Sequence, residues 1–309
     1  MRVAVMGSGA VGGYFGAKLA AAKHRVAFIA RGSHLAAMQA NGLQLKSVNG
    51  DLHIRDAQFS ADAQTVGHAD LILFCVKSYD TTTAAESIRP MVSDRTLILS
   101  LQNGIDNPEK LACIYGEPRV LPAVVYVGAQ VTEPGLITHS TGGRIIFGQM
   151  DNEISAPAQR VAKILTEAEI PCETTAEIRK VQWTKLLWNA PFCAISCATQ
   201  ANMKQIVESE QLVRLALDCM AEVKAAARTK GIELERRLFD NAIGFSRTLG
   251  EFKPSMLQDL ESNKPLEYEA FNGVVVRLLE AAGRSAPINQ TFFAMLAFLD
   301  QKFRPKTAV

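Results

Sequence analysis

The first 175 residues alternate short, unbroken apolar runs with stretches whose apolar positions recur at helical spacing. Residues 2–6, 25–30, 71–76 and 96–101 are compact runs of Val, Ile, Leu and Phe. Unbroken apolar character suits strands covered on both faces, the situation in a parallel sheet. Residues 10–22 between the first two runs read as a helix, giving a strand–turn–helix–strand unit. Further on, residues 135–140 and 144–147 flank Thr141-Gly142-Gly143, a pattern that predicts a hairpin closing a sheet edge.

Beyond about residue 176 the strand pattern stops. Helices are predicted over 177–200, 205–230, 233–248, 255–262, 266–281 and 289–302. Gly283 follows one predicted helix end, and Pro254-Ser255 precedes another. Ser255 with Gln258 three residues on forms a capping-box pattern. The expected architecture is an α/β domain with a mostly parallel sheet over residues 1–175, followed by an all-α domain over 176–309.

Composition narrows the function classes. With 48% hydrophobic and 21% charged residues, the chain reads as an ordinary soluble protein with a full core. A net charge of +2 without a basic stripe argues against a nucleic-acid or anionic-membrane partner. No apolar stretch reaches the length of a membrane span, and glycines interrupt the N-terminal apolar run too early for a signal peptide, so a cytoplasmic location is expected. The six cysteines form no CxxC and sit beside no histidine at ligand spacing, which predicts reduced thiols and no metal. A small-molecule substrate is the expected partner, with a homodimer as a compatible assembly.

Gly7-Ser8-Gly9-Ala10-Val11-Gly12 is a GxGxxG loop placed directly after a strand and opening a helix. That placement is what dinucleotide binding needs. The first glycine allows the tight turn, the second lets the backbone approach a pyrophosphate, and the third lets helix and strand pack closely. At the end of the second run stands Arg31, where an NAD site places a carboxylate for the ribose 2′-hydroxyl. A guanidinium there would pair with a 2′-phosphate, which favours NADPH, though a solvated surface arginine is also compatible. Lys77 and Gln102-Asn103-Gly104 follow two further apolar runs, at the carboxyl edge where such sheets bind ligands. Either can also be an ordinary polar strand terminus.

Reduction of a carbonyl needs a proton donor for the developing alkoxide. All five histidines lie in the first half, so a donor from the helical half must be another residue type. Lys185, Asn189 and Cys193 recur every four residues and share one helix face, among Trp183, Leu186, Leu187, Trp188 and Phe192. Apolar surroundings would lower the lysine pKa; a lysine that snorkels its ammonium into water fits the spacing equally well. Pro191 should kink or end this helix locally. Glu267 and Glu269 fall in the first turn of the helix predicted over 266–281, where free amides stabilise carboxylates without any further role.

Together these pieces resemble the ketopantoate reductase family over nearly the whole chain. The matching residues are the Gly7–Gly12 loop, Arg31, Val76-Lys77, Gln102-Asn103-Gly104, Trp183-x-Lys185-Leu-x-x-Asn189, Ser255-Met-Leu-Gln-Asp259 and Glu267-x-x-x-x-Asn272-Gly273. The resemblance implies a Rossmann-type first domain binding NADPH/NADP through the loop, Arg31 and Lys77, with a backbone contact near Ala129. It implies that Lys185 gives a proton to the C2 oxygen of a 2-oxo acid, and that Asn103 touches both nicotinamide and substrate. Asn189 and Ser255 would hold polar groups of the substrate, and Glu267 would meet the nicotinamide ribose near Lys185. Hydride transfer is expected to convert 2-dehydropantoate to pantoate. Two departures stand out. Members that make pantoate usually carry a second asparagine where this chain has Cys193, and Pro265-Leu266-Glu267-Tyr268-Glu269 replaces the usual Pro-Thr-Glu-Ile-Asp. A paralogue acting on another branched 2-oxo acid therefore stays open, as does a cofactor-binding sensor without turnover.

Overall fold

The computed structural model describes residues 1–303. The chain divides into two compact units, Met1–Ile178 and a second beginning at Arg179.

The first unit is built on ten strands: β1 (Arg2–Met6), β2 (Arg25–Ile29), β3 (Leu43–Ser47), β4 (Leu52–Ile54), β5 (Gln58–Ser60), β6 (Leu71–Phe74), β7 (Leu97–Ser100), β8 (Val120–Glu133), β9 (Leu136–Phe147) and β10 (Cys172–Thr174). Their order is β4-β3-β9-β8-β7-β6-β1-β2-β5, with β10 pairing β9. From β8 to β5 every neighbouring pair is parallel. Helices α1 (Ala10–Ala21), α2 (Gly32–Asn41), α3 (Thr81–Ser87), α4 (Asn107–Tyr115) and α5 (Ala156–Glu167) complete it.

The unbroken apolar runs have a direct cause in this sheet. Successive side chains of a strand point to opposite faces. Val3, Val5, Leu71, Leu73, Leu97 and Leu99 enter one buried cluster, while Ala4, Ile72, Phe74 and Ile98 enter another. With both faces covered, the interior positions of β1, β6 and β7 are apolar, and polar residues stand only at strand ends, exposed Arg2 opening β1 and Ser100 closing β7. Burying one Val or Leu in this way stabilises the fold by about 1.5–3 kcal/mol. The chain leaves β1 for β2 on one side and later fills β6 on the other, which puts the topological switch at the carboxyl end of β1.

The predicted hairpin at Thr141–Gly143 is corrected. Those residues lie inside β9, and the reversal is at Pro134-Gly135, between β8 and β9. Gly142 and Gly143 have φ of +75° and +108°, but they serve register shifts in the long β8–β9 pair rather than a turn. A Cβ on Gly142 would stand 2.4 Å from the Tyr126 carbonyl oxygen, and one on Gly143 would stand 2.4 Å from the Tyr14 hydroxyl. Close approach, not chain reversal, selects both glycines. Nor is this pair an edge, because β3 covers β9 and β7 covers β8.

The second unit contains α6 (Ile178–Thr199), which begins one residue before it, then α7 (Met203–Glu208), α8 (Glu210–Thr229), α9 (Arg237–Thr248) and α10 (Ser255–Glu261). A π-helical turn (Glu269–Gly273) runs into α11 (Val274–Ala281), and α12 (Pro287–Asp300) follows. The single helix predicted over 205–230 is two, because Ser209 takes an extended conformation and its hydroxyl caps α8 by accepting from the Leu212 amide at 3.3 Å. The box expected at Ser255 is absent: Pro254 occupies the N-cap, Ser255 is the first helical residue, and Gln258 donates instead to the Lys253 carbonyl. A capping box does open α7, from Asn202 and Gln205. Pro191 does not end α6, which continues to Thr199. Apolar neighbours on α6, from Leu186 to Ile195, are buried and hold the helix together across the missing donor.

Candidate active site

The glycine loop joins β1 to α1. Gly7 turns at φ +93°, and its amide and that of Ser8 both donate to the Ile29 carbonyl, tying the loop to the end of β2. A Cβ on Gly12 would meet the Gly7 carbonyl oxygen at 2.3 Å and Val5 Cγ1 at 2.8 Å, so this glycine is required for helix and strand to touch. Gly9 differs: nothing lies within 4 Å of where its Cβ would be. Open space in front of bare backbone, beside the unpaired first-turn amides of α1, fits a pyrophosphate. Ala10 and Val11 supply two of those amides. Ser8, predicted to bind cofactor, is buried with its polar groups engaged internally. Its hydroxyl donates to the Val5 carbonyl, and its own carbonyl accepts from His34 Nε2 at 2.9 Å.

His34 was not foreseen as part of this site. The Gly135 amide donates to its Nδ1 at 3.0 Å, which leaves Nε2 to carry the hydrogen given to Ser8. A neutral imidazole thus joins the loop to the β8–β9 turn. Its partner is 101 residues away along the chain, a separation that carries no sequence signal.

Arg31 lies at the tip of β2, exposed, with Nη2 2.7 Å from Asp80 Oδ2. Half-buried Lys77 precedes the 3₁₀ turn Ser78–Asp80 at the end of β6. The predicted Gln102-Asn103-Gly104 segment divides in two. Gln102 is buried and donates to the Val76 carbonyl and to the Thr81 hydroxyl, so it ties the β6 and β7 ends together. Asn103 is half-buried, and Asn107 Nδ2 fixes its backbone carbonyl at 2.7 Å. Ala129 sits in the part of β8 that pairs only with β9, opposite His139 at a register shift.

In the second unit, α6 places Lys185, Asn189 and Cys193 on one face as the spacing predicted. Trp183, Leu186, Leu187 and Phe192 are buried, and Trp188 donates Nε1 to Ser246 at 2.9 Å. Burial pulls the Lys185 ammonium down to about 8, while Cys193 and Glu267 act on it in the opposite direction. Asn189 is 6% exposed, and its amide has no hydrogen-bond partner among the described residues. Ser255 is exposed at the start of α10.

Glu267 is 4% exposed, unlike Glu269, which pairs with Arg277 at the surface. It lies just ahead of the helical turn rather than inside it. Two anchors hold its surroundings. Buried Asp300 accepts from the Leu266 amide at 2.7 Å. In the π turn, Asn272 Nδ2 donates to the Ala190 carbonyl of α6 at 3.1 Å and to Asn289 Oδ1 at 3.0 Å. Glu222 in turn accepts from the Ile288 and Asn289 amides that open α12. Among the described residues, no group of His, Cys, Asp and Glu side chains could hold a metal ion.

Residues 3–152 match the family described as ketopantoate reductase PanE/ApbA, and residues 177–300 match its C-terminal part. A 2-dehydropantoate 2-reductase of Mesorhizobium japonicum is 31% identical over 97% of both chains. A PanE/ApbA family ketopantoate reductase from Ralstonia eutropha superposes with a TM-score of 0.91 at 34% identity, covering 98% of this chain and 99% of that one. A D-mandelate dehydrogenase solved with NADH and anilino(oxo)acetate shares the fold, with a TM-score of 0.91 at 19% identity over 98% of this chain and 99% of that one. Loop, sheet and matches agree on a class, the pyridine-nucleotide-dependent reductases. Within it, the chain belongs to the ketopantoate reductase family.

Proposed function

We propose that this protein reduces a 2-oxo acid to a 2-hydroxy acid with NADPH, with 2-dehydropantoate as the leading substrate. The observation that carries the reading is the α6 face that brings Lys185, whose pKa burial lowers to about 8, into line with Asn189, only 6% exposed, and Cys193. A protein that only bound a nucleotide would gain nothing from such a lysine, which argues against a sensor.

The dinucleotide would be held by the Gly9–Gly12 backbone, Arg31, Lys77 and Asn103, with Glu267 toward its ribose; when bound, it supplies a hydride to the keto carbon. Lys185 Nζ gives a proton to the C2 oxygen as that oxygen gains charge. Asn189 and Ser255 bind the carboxylate and hydroxyl of the substrate. Asn103 positions the reacting groups. The domains of action follow the same division, residues 1–175 for cofactor and 176–309 for substrate and proton transfer.

Cys193 supports a second reading. It is 1% exposed on the Lys185 face, where a thiol offers far weaker hydrogen bonding than an amide. A less polar branched 2-oxo acid would suit it better than 2-dehydropantoate. We take the protein as cytoplasmic, in keeping with six cysteines that form no disulfide and with the lack, among the described residues, of any helix long and apolar enough to cross a membrane. The test is NADPH consumption against a panel of 2-oxo acids that includes 2-dehydropantoate and analogues lacking its 4-hydroxyl. Turnover of one of them is expected; no turnover of any, with NADPH bound, would leave the sensor. Light scattering decides whether the active form is a homodimer.

A further inference from the structure

Arg31 is not waiting alone for a phosphate. Its Nη2 stands 2.7 Å from Asp80 Oδ2, although the two residues are 49 positions apart and belong to different strand ends, one after β2 and one after β6. The guanidinium side chain is 80% exposed and the carboxylate 35%. Pairs this exposed contribute little to folding, so stability gives no reason for a carboxylate here. Asp80 is the N-cap residue of α3 but makes no side-chain cap bond, so what it gives that helix is limited to the weak attraction of its charge to the free amides.

What Asp80 does touch is Arg31, the cation placed to read the 2′ position of an adenosine ribose. We propose that Asp80 is a specificity-determining residue that works against Arg31, narrowing the preference for NADPH over NADH. This rests on the dinucleotide reading above. A 2′-phosphate arriving at Arg31 must share the guanidinium with a carboxylate and sit a few ångström from its negative charge. The guanidinium has five N–H donors and can serve both, so binding survives, but the repulsion remains. A ribose with a free 2′-hydroxyl meets no such repulsion and can donate its proton to the carboxylate, as ribose does to the acidic residue of NAD sites. Arginine and aspartate thus act as opposed halves of one selector, and the unmodified protein accepts both cofactors with a modest bias.

The test is binding to the purified protein, read by fluorescence titration with NADPH and NADH and by calorimetry with 2′,5′-ADP and 5′-AMP. Asp80→Asn removes the charge and keeps the shape. It should tighten NADPH and 2′,5′-ADP about five- to tenfold, the effect of one nearby surface charge, and change NADH and 5′-AMP less than twofold or weaken them. Asp80→Ser, which keeps a residue suited to a helix N-cap, must give the same pattern and stands in if the first variant folds poorly. Equal tightening of all four ligands, no change, or weaker NADPH binding would each overturn the proposal, the last by making Asp80 a support for Arg31. Failure of the unmodified protein to bind either cofactor would instead overturn the dinucleotide reading and this inference with it.

Discussion

The glycine loop and the Lys185 face of α6 are built in opposite ways. At the loop, side chains are committed internally: Ser8 to β1, His34 to the β8–β9 turn, Gln102 to the β6 end. What faces outward is backbone, the bare Gly9 and the first amides of α1. On α6 the backbone is engaged in the helix, and what stands ready is side chain, the desolvated Lys185 and the unpartnered Asn189. Backbone amides suit an anion whose shape never varies. Side chains can be tuned in pKa and exchanged, which suits chemistry and substrate choice. The two regions should therefore fail differently when altered.

The largest effect is expected on the helix. Lys185→Ala should lower kcat by roughly 10²–10⁴-fold, the size of a general-acid contribution, with NADPH affinity nearly unchanged. Full turnover by this variant would erase the contrast and return the lysine to a surface role. At the loop the pattern reverses. Gly12→Ala puts a Cβ 2.3 Å from the Gly7 carbonyl oxygen, so loop and helix must separate. Overpacking of this kind costs about 1–3 kcal/mol, which should appear as a lower Tm together with weaker NADPH binding. A normal Tm and normal affinity would show that the close contact is not needed.

pH separates the regions further. Lys185 must be protonated to act as an acid, so kcat/KM for reduction should fall about tenfold per pH unit above about 8, while NADPH affinity holds. The linked stability has a definite sign. Between about 8 and the ordinary value of 10.5, the unfolded chain keeps a proton that folded Lys185 has lost. Stability from this group therefore rises with pH across that window and is lowest below it. Lys185→Met should remove both the kinetic and the stability component; a profile unchanged by that substitution assigns the titration to another group.

The smallest effect concerns substrate choice. If 2-dehydropantoate is the substrate, Cys193→Asn should raise kcat/KM about three- to tenfold by restoring one hydrogen bond worth about 0.5–1.5 kcal/mol. With a less polar 2-oxo acid as the true substrate, the same change should lower activity on it. Kinetics on 2-dehydropantoate and on analogues lacking the 4-hydroxyl distinguish the two. No change in rate or preference would remove Cys193 from the substrate site.

Local spacing carried a large part of this protein. The GxGxxG loop after an apolar run, the four-residue recurrence of Lys185, Asn189 and Cys193, and the two-face burial behind each unbroken apolar run are all short-range patterns, and all three appear as read. Readings failed where a residue's meaning depended on a distant partner. Gly142-Gly143 looked like a turn because glycine marks both turns and close approaches, and only Tyr126 and Tyr14 reveal which. Ser255 looked like a cap until Pro254 took that position. Glu267 looked like a first-turn carboxylate held by free amides, and its burial goes with Asp300 and the Asn272 bridge to Ala190, 34 and 82 residues removed from their partners. Arg31 itself was legible, but Asp80 beside it was not, since the pairing exists only where β2 and β6 end at the same sheet edge. The sequence by itself determined the covered strands, the run of helices after them and which residue types can do the chemistry, because those follow from neighbours within a few positions. Tertiary structure alone decided which of those residues lose water, which lose their freedom to a partner and which are left to act, because desolvation and pairing depend on what the rest of the chain brings near.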